Sequence, residues 1–417
     1  MSAGLHDYLT FLARSVRRAF QGSWRYYAWM TFLTIVVLVG LNAYARQVVG
    51  GLSVTGMSDQ VSWGAYIANF TYLVGIAAAA VMLVIPAYIY KNEAVHQVVL
   101  LGELLAVAAL VMCLLFVTVD LGRPDRFWHM IPLLGRFNWP ISMLAWDVIA
   151  LNGYLVLNAH VAGYLIYTRW KGEKPNPRWY LPFVFVSIGW AVSIHTVTAF
   201  LYVGLGGRPF WNSAIVAPRF LASAFAAGPG LIVITLQLVR RLWGFDVRDE
   251  ALMLLRRIIT VAMLINLFLL GTEVFTEFYT DSRHVAAAHY LFFGLGGAGK
   301  LVPWIWLAIA MNLVATVLLM SPKTRSLRWL NLACVFAIVG IWVEKGMGLI
   351  VPGFVPSPLG EVVEYAPTLN ETLVSMGIWA FGALLYTLML RVAVPVVLGT
   401  MRRAAPPVSP NAGETTP

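Results

Sequence analysis

Ten long, mostly apolar runs recur along this chain, and they constrain its fold more than any single motif. A helix needs about 20 apolar residues to cross a hydrocarbon layer roughly 30 Å thick. In lipid, the backbone N–H and C=O groups of such a run must be satisfied internally. The runs fall at about 26–48, 63–90, 95–119, 140–168, 181–203, 218–242, 252–279, 301–320, 329–350 and 372–398. The fold class they predict is an all-α polytopic membrane protein of about ten transmembrane helices. Charge agrees: only 12% of residues are charged, about half the usual soluble fraction of roughly 25%. Sixteen Trp and 17 Tyr suit the aromatic belts at membrane interfaces.

The connectors alternate in character. Placing the N-terminus inside leaves 20 of the 29 Lys and Arg residues on inner segments, including Arg14, Arg17, Arg18, Arg25, Arg169, Lys171, Arg240, Arg241 and Arg391. By the positive-inside rule both termini face the cytoplasm. The net charge of +10 is thus a topology signal, and no basic tract suggests nucleic acid. Residues 5–20 set Leu5, Leu9, Leu12, Val16 and Phe20 at helical spacing, which predicts an interfacial helix lying on the bilayer rather than a signal peptide. The Pro-rich polar tail, 401–417, is expected to be disordered. Outer connectors are longer and rich in Gly, Pro and aromatics, as a docking face for a periplasmic partner would be.

Cys113 and Cys334 are too few to ligate an iron–sulfur cluster, and no Cys-x-x-Cys-His haem attachment site occurs. They read as small core residues, so a metal centre is expected on a partner. The intramembrane histidines, His160 near the inside and His195 near the outside, offer no depth-matched pair for haem. The GLGGAG stretch, Gly294–Gly299, resembles a nucleotide loop only superficially. It follows a membrane helix, faces outside, and has Leu301 after Lys300 where a phosphate loop needs Ser or Thr. It reads as a tight turn.

The informative stretch runs from Asp120 to Asp147, DLGRPDRFWHMIPLLGRFNWPISMLAWD. It concentrates charges and rigid rings between two apolar runs. Asp147 enters the fourth run roughly 10 Å from its outer edge at about 1.5 Å per residue. His195 lies at similar depth, Glu273 and Glu277 close the seventh run on that side, and Glu344 with Lys345 sits in the outer third of the ninth. Ionisable groups at such depth are costly unless paired or functional. A carboxylate and an imidazole at one level suit proton release from a quinol, and Trp128, Trp139 and Trp146 offer flat apolar surfaces for a ring. Plainer readings stand beside these. Asp147 pairs with Arg123 or Arg126 at the interface, His195 bonds to a nearby Ser or Thr, and Glu344–Lys345 is a local ion pair at a helix end. Nearer the inside, Glu103, Asn158, His160 and Gln237 form a thinner set. Within it, Glu103 and His160 are candidates for the start of a proton path, or for structural pairing.

At DLGRPDRFWH, followed by a Trp-Pro helix start and an acid within that helix, the chain resembles the NrfD/PsrC family, the quinone-interacting membrane subunits of iron–sulfur oxidoreductase complexes. WGAYIANFTYLVGIAAAAVML, FLASAFAAGPG and FTEFYTDSRHVAAAHYLFFGLGG extend the resemblance over nearly the whole chain. The ten-span length fits the branch with HybB and the alternative complex III subunits, and these stretches are most similar to the DsrP type of the DsrMKJOP complex. The resemblance implies two four-helix bundles with two flanking helices. The corresponding divisions are 1–25 (interfacial helix), 26–62, 63–203 (first bundle), 204–350 (second bundle), 351–400 and the tail 401–417.

It also implies menaquinone or ubiquinone bound near the periplasmic face of the first bundle, with no haem or cluster in this chain. His129 and Asp147 match the family's loop histidine and helix acid. Arg123, Trp128, Trp146 and His195 join them as candidate pocket residues, and Glu103, His160, Glu273 and Glu344 as candidate proton-path residues. The implied partners are a periplasmic ferredoxin-like iron–sulfur subunit, a multihaem cytochrome c and a second membrane module with a cytoplasmic iron–sulfur protein, all at a bacterial inner membrane. Such a chain is one component of an oxidoreductase rather than an enzyme alone. Two other classes stay open: a secondary transporter or ion-translocating subunit, which broken helices such as one at Gly228-Pro229-Gly230 would favour, and an inert anchor, which would not need buried charge.

Overall fold

The computed structural model describes residues 3–280 and 285–403. The expected tail disorder concerns residues that lie largely beyond these, as do four residues of the segment after the seventh span. Among the described residues, ten helices are long and apolar enough to cross a membrane. They are span one Trp24–Val54, two Ala65–Ile89, three Val99–Asp120, four Met143–Lys171, five Pro177–Val203, six Val216–Trp243, seven Asp249–Tyr279, eight Val302–Met320, nine Leu327–Phe354 and ten Leu369–Val397. The chain is an all-α, multi-pass membrane protein, and the apolar runs in its sequence locate every span to within one or two helical turns.

Local chemistry sets the helix ends. Ser142 accepts from the Ala145 N–H at 3.4 Å before span four, and Asn176 accepts from the Arg178 N–H at 3.1 Å before span five. Gly172 and Gly244 take left-handed conformations (φ 77° and 63°) where spans four and six stop, positions that suit a residue without a Cβ. Span ten opens with a capping box. Thr368 accepts from the Glu371 N–H at 3.3 Å, and the Glu371 carboxylate accepts from the Thr368 N–H at 2.9 Å.

The helices close into two rings. Span two packs on three, three on four, four on five and five back on two; six packs on seven, seven on eight, eight on nine and nine back on six. The rings meet where span six lies against two and five, and where nine lies against two. Spans one and ten pair with each other, and span ten leans on span three. Small residues permit the closest approaches, as expected where dispersion rather than water expulsion drives association. A Cβ on Gly40 would fall 2.6 Å from the Gly377 Cα where spans one and ten cross. Gly228 lies against Ala79 where spans six and two cross, and span six runs unbroken through Gly228-Pro229-Gly230. That triplet is a packing surface of a continuous helix, not an interruption.

The helix Ala3–Ala19 keeps Leu5, Leu9, Leu12 and Val16 exposed, as is Phe20 just beyond it, while Phe11 packs on Tyr167 and Trp170 at 5.3 Å each. Its apolar stripe is therefore free to meet lipid. The longer connectors gather at the opposite end of the bundles, the loop face; the end carrying Ala3–Ala19 is the terminal face. In GLGGAG, Leu295 and Ala298 exchange backbone hydrogen bonds of 2.9 Å in a tight turn. The following Gly299 and Lys300 N–H groups donate to Glu364 at 2.8 and 2.7 Å, so an internal carboxylate occupies these donors.

Candidate functional site

In the first bundle the residue that stands out is Asp147, 1% exposed. It follows Trp146, which is about a third exposed, so one residue of helix rotation separates a lipid- or loop-facing indole from a buried carboxylate. Asp147 lies on the inward stripe of span four with Leu151, Tyr154, Asn158 and Val161. The Thr198 hydroxyl on span five lies 2.8 Å from its Oδ1 and 2.8 Å from the Ile194 carbonyl, with one proton to share between the two acceptors. Among the described residues Asp147 has no ion pair. Arg123 instead grips Asp125 two residues away, at 3.0 and 2.9 Å, in an exposed pair. The interfacial reading, Asp147 paired with Arg123 or Arg126, is therefore corrected: the carboxylate is buried inside the bundle and pairs with neither arginine among the described residues.

Above it the loop forms a short helical turn, Pro124–Met130. His129 is exposed there and stacks on Trp128 with ring centroids 3.8 Å apart. Trp139 and Trp146 lie 5.3 Å apart at 45°, and the Trp146 indole N–H donates to the Pro140 carbonyl at 2.7 Å. No hydrogen bond joins His129 to Asp147 among the described residues; one is at the surface and the other in the interior. What the arrangement offers chemically is a set of exposed aromatic faces with an imidazole beside them, and a carboxylate one helical position inward.

His195 lies three residues before Thr198, on the same buried face of span five. It points toward the seam between the bundles. There it lines a cavity of about 10 Å³ with Thr71, Tyr72, Ser223 and Lys345, at the limit of room for one water. Its Nδ1 has no hydrogen-bond partner among the described residues. The expected bond to a Ser or Thr hydroxyl is not formed. Instead Thr71 donates to the Ile67 carbonyl at 2.8 Å and shares a short hydrogen bond with the Tyr202 hydroxyl.

The second bundle holds a denser site. Arg219 near the start of span six is 7% exposed and pairs with both Glu273 and Glu344, the latter at 2.8 Å. The Glu344 Oε2 also accepts from the amides of Asn312 at 2.6 Å and Asn266 at 3.3 Å. The expected Glu344–Lys345 ion pair at a helix end is overturned. Both residues lie inside span nine, where Val343–Met347 form a wide π turn, a bulge that is frequent at functional sites within helices. Glu344 turns into the second bundle, while Lys345 turns to the seam, with Nζ 4.0 Å from the Phe220 ring centre. Glu277 lines the same small cavity as Arg219, Glu273 and Glu344.

The inner set does not converge. Glu103 is buried at 2% exposure, and its Oε2 has no hydrogen-bond partner among the described residues. His160 sits off the inward stripe of span four, two residues past buried Asn158. Its Nε2 lies 2.9 Å from the Trp179 carbonyl, and its ring is 4.4 Å from Phe183. No hydrogen bond or ion pair joins it to Glu103 among the described residues. Gln237 exchanges amide hydrogen bonds with Asn331 at 2.6 and 3.0 Å, in the other bundle.

Sequence reasoning misses Arg219, Asn266, Asn312 and Thr198. Asn266 and Asn312 carry a usable signal, since each is a polar residue deep in an apolar run. Arg219 carries a weaker one, because basic residues are ordinary near helix ends.

A ten-helix bundle with buried carboxylates and a loop face of aromatics defines the class: an integral membrane protein with ionisable groups set into an apolar core. The family model described as "Polysulphide reductase, NrfD" matches residues 53–355, so the chain belongs to the NrfD family. Three relatives align over nearly full length. One, from Halobacterium salinarum, is named for the membrane component of a dimethyl sulfoxide reductase (25% identity, 91% of this chain, 92% of the relative). Another, from Archaeoglobus fulgidus, is named an Hdr-like menaquinol oxidoreductase integral membrane subunit (23%, 87% and 91%). The third, from Mesobacillus selenatarsenatis, is named for one of the subunits of a selenate reductase (23%, 88% and 94%). The chain is thus similar to membrane components of multisubunit reductases.

Proposed function

We propose that this chain binds a quinol or quinone, menaquinone or ubiquinone, at the loop face of its first bundle. In this reading it exchanges electrons with the iron–sulfur cluster of a ferredoxin-like partner docked on that face. The observation that carries the reading is Asp147: a carboxylate buried in the first bundle beside the aromatic loop, held by one hydroxyl and, among the described residues, no cation. An inert anchor would have no use for it. The name of the Archaeoglobus fulgidus relative, a menaquinol oxidoreductase subunit, supports the same substrate class. The unbroken span six removes the feature that most favoured a transporter.

The residues fit a quinone. Trp128, Trp139 and Trp146 present flat faces, each between about a third and a half exposed, and His129 adds a ring nitrogen for hydrogen bonding. Quinol oxidation supplies two electrons and releases two protons. His129 at the surface and Asp147 below it would take up those protons, with Thr198 orienting the carboxylate. Arg123 holds Asp125 and so shapes the loop around His129. His195, with one nitrogen free in the seam, would carry a proton between the bundles. Glu273 and Glu344 would carry it onward, and Glu103 and His160 would serve exchange near the other face. A place at the inner membrane with both termini cytoplasmic, a DsrP-type role in sulfur metabolism, and a multihaem cytochrome c with a second iron–sulfur module as further partners complete the proposal. The DsrP part rests on the DLGRPDRFWH-type stretches.

Asp147→Asn tests the reading, because it keeps shape and the Thr198 hydrogen bond but removes the basic carboxylate. Proton-transfer groups contribute about 10²–10⁴-fold, so quinol-linked electron transfer per assembled complex should fall at least about tenfold, with assembly retained. His129→Phe should act similarly, and Glu103→Gln should spare the rate. An unchanged normalised rate in both Asp147→Asn and His129→Phe would remove the quinone site from this region.

A further inference from the structure

At the terminal face, the start of span one and the ends of spans six and ten enclose a groove of about 710 Å³. That volume lies within the roughly 300–1,000 Å³ typical of ligand sites. Its wall carries apolar side chains that no other described part of the chain covers: Leu238 is 52% exposed, Leu242 61% and Trp29 45%. Its rim carries three guanidinium groups, Arg25, Arg241 and Arg391, and no acidic residue lines it among the described residues. Tyr26, Trp29 and Trp243 stand among them, side chains with one wet and one apolar end that suit the headgroup boundary. The groove therefore joins a cationic rim to an apolar wall, as an amphiphile with an anionic head would require.

Arg25 lies 5.7 Å over the Trp24 ring, but none of the three arginines meets a carboxylate among the described residues. Arg240, next to Arg241, pairs with Asp249 at 2.6 Å, whereas Arg25, Arg241 and Arg391 form no ion pair among the described residues. Arg391 lies 4.7 Å over the Tyr26 ring and donates to the Gln21 carbonyl, yet its Nε is buried without a partner among the described residues. The Nε of neighbouring Arg18 is also unpartnered there. Arg25 and Arg241 are exposed and Arg391 is half-buried, so positive charge gathers at this rim without a protein anion among the described residues, and guanidinium forks match phosphate oxygens in charge and geometry. A neutral lipid or a quinone would leave that charge uncompensated.

We propose that this groove is a specific site for an anionic glycerophospholipid. The phosphodiester sits on Arg25, Arg241 and Arg391, and an acyl chain lies along Leu238, Leu242 and Leu390. Basic pockets between membrane helices are suited to such headgroups. The site is remote from the loop face and does not depend on the quinone reading.

The test is native mass spectrometry of the full-length protein purified in mild detergent with whatever subunits it retains. It is titrated with dioleoyl-phosphatidylglycerol or dioleoyl-phosphatidylcholine. Retained phosphatidylglycerol should exceed phosphatidylcholine at least about tenfold. Each arginine removed should weaken retention about fivefold, so Arg25→Gln with Arg241→Gln should lower it by roughly 25-fold. Arg178→Gln with Arg328→Gln, basic residues at the same face outside the groove, should leave it unchanged. Leu238→Trp, which fills the apolar wall and keeps every charge, should also reduce retention. If the double variant is unstable, Arg241→Gln alone and the two-lipid comparison on the unaltered protein still decide. Equal retention of the two lipids overturns the proposal. So does unchanged retention in Arg25→Gln/Arg241→Gln, or displacement of phosphatidylglycerol by a neutral quinone.

Discussion

In the second bundle Glu344 is met by a guanidinium and two amides; in the first, Asp147 is met by a single hydroxyl. Both carboxylates are about 1% exposed, and both lie toward the loop face of a four-helix ring. The difference is in compensation. Arg219 spans two acids from two helices, so each of those carboxylates has a guanidinium partner, and Glu344 has two amide donors besides. Asp147 has no cation among the described residues, and the first bundle holds its charge in reserve. Removing a partner from a network of the first kind is costly, whereas a buried carboxylate without a cation is the kind of group the proposed quinol chemistry calls for. The seam between them, with Lys345 over Phe220 and His195 across the small cavity, joins the two without merging them.

The contrast breaks most visibly at Arg219. Arg219→Met leaves Glu273 and Glu344 buried with no guanidinium, and removing one partner of a buried pair costs about 3–5 kcal/mol. We expect loss of most folded protein in fluorescence-detected size exclusion. Adding Glu344→Gln, which removes one of the stranded charges, should recover part of the yield. No recovery would mean that Arg219 acts through packing rather than charge.

Thr198→Val sharpens the first-bundle side. It deletes the one donor to Asp147 among the described residues while keeping side-chain volume, and stranding a buried acceptor costs about 1–3 kcal/mol. The melting temperature should drop modestly. The rate per assembled complex should fall less than in Asp147→Asn, because the carboxylate remains. Equal rates in the two variants would show that orientation, not the proton, is what Asp147 supplies.

The smallest effect is expected at the loop face, outside the membrane. Burial pushes the Glu364 carboxyl upward, but the Lys300 N–H, the Lys300 ammonium at 3.1 Å and the Gly299 N–H together hold it below the ordinary value of about 4.5. A carboxylate lowered in the folded state stabilises above its unfolded value and loses that contribution as pH falls through the folded one. Glu364→Gln should therefore melt slightly lower than the unaltered protein at pH 7, with the gap closing below about pH 4.5. A gap constant with pH would assign the tether to shape rather than charge.

Particular residues show where reading the sequence succeeds and where it stops. Asp147 and Glu344 stand out because a carboxylate inside an apolar run is conspicuous whatever surrounds it. Their partners do not. Proximity in sequence sets Asp147 against Arg123, yet it takes Thr198 from the next helix. It sets Glu344 against adjacent Lys345, and a π turn sends the two in different directions. Glu103 and His160 share a depth, but His160 faces away from the inward stripe of span four and meets Trp179 and Phe183.

By itself the sequence determined the ten spans, their approximate ends and the need of each buried charge for a partner. Hydropathy, capping and Gly or Pro preferences act over a few residues, and they can be read locally. Only the tertiary structure decided which partner each charge received. Arg219 and Glu344 lie 125 residues apart, and their pairing depends on which faces spans six, seven, eight and nine bring together. Helix rotation of about 100° per residue and the placement of small residues at crossings set those faces, and neither is visible in the residues that finally touch.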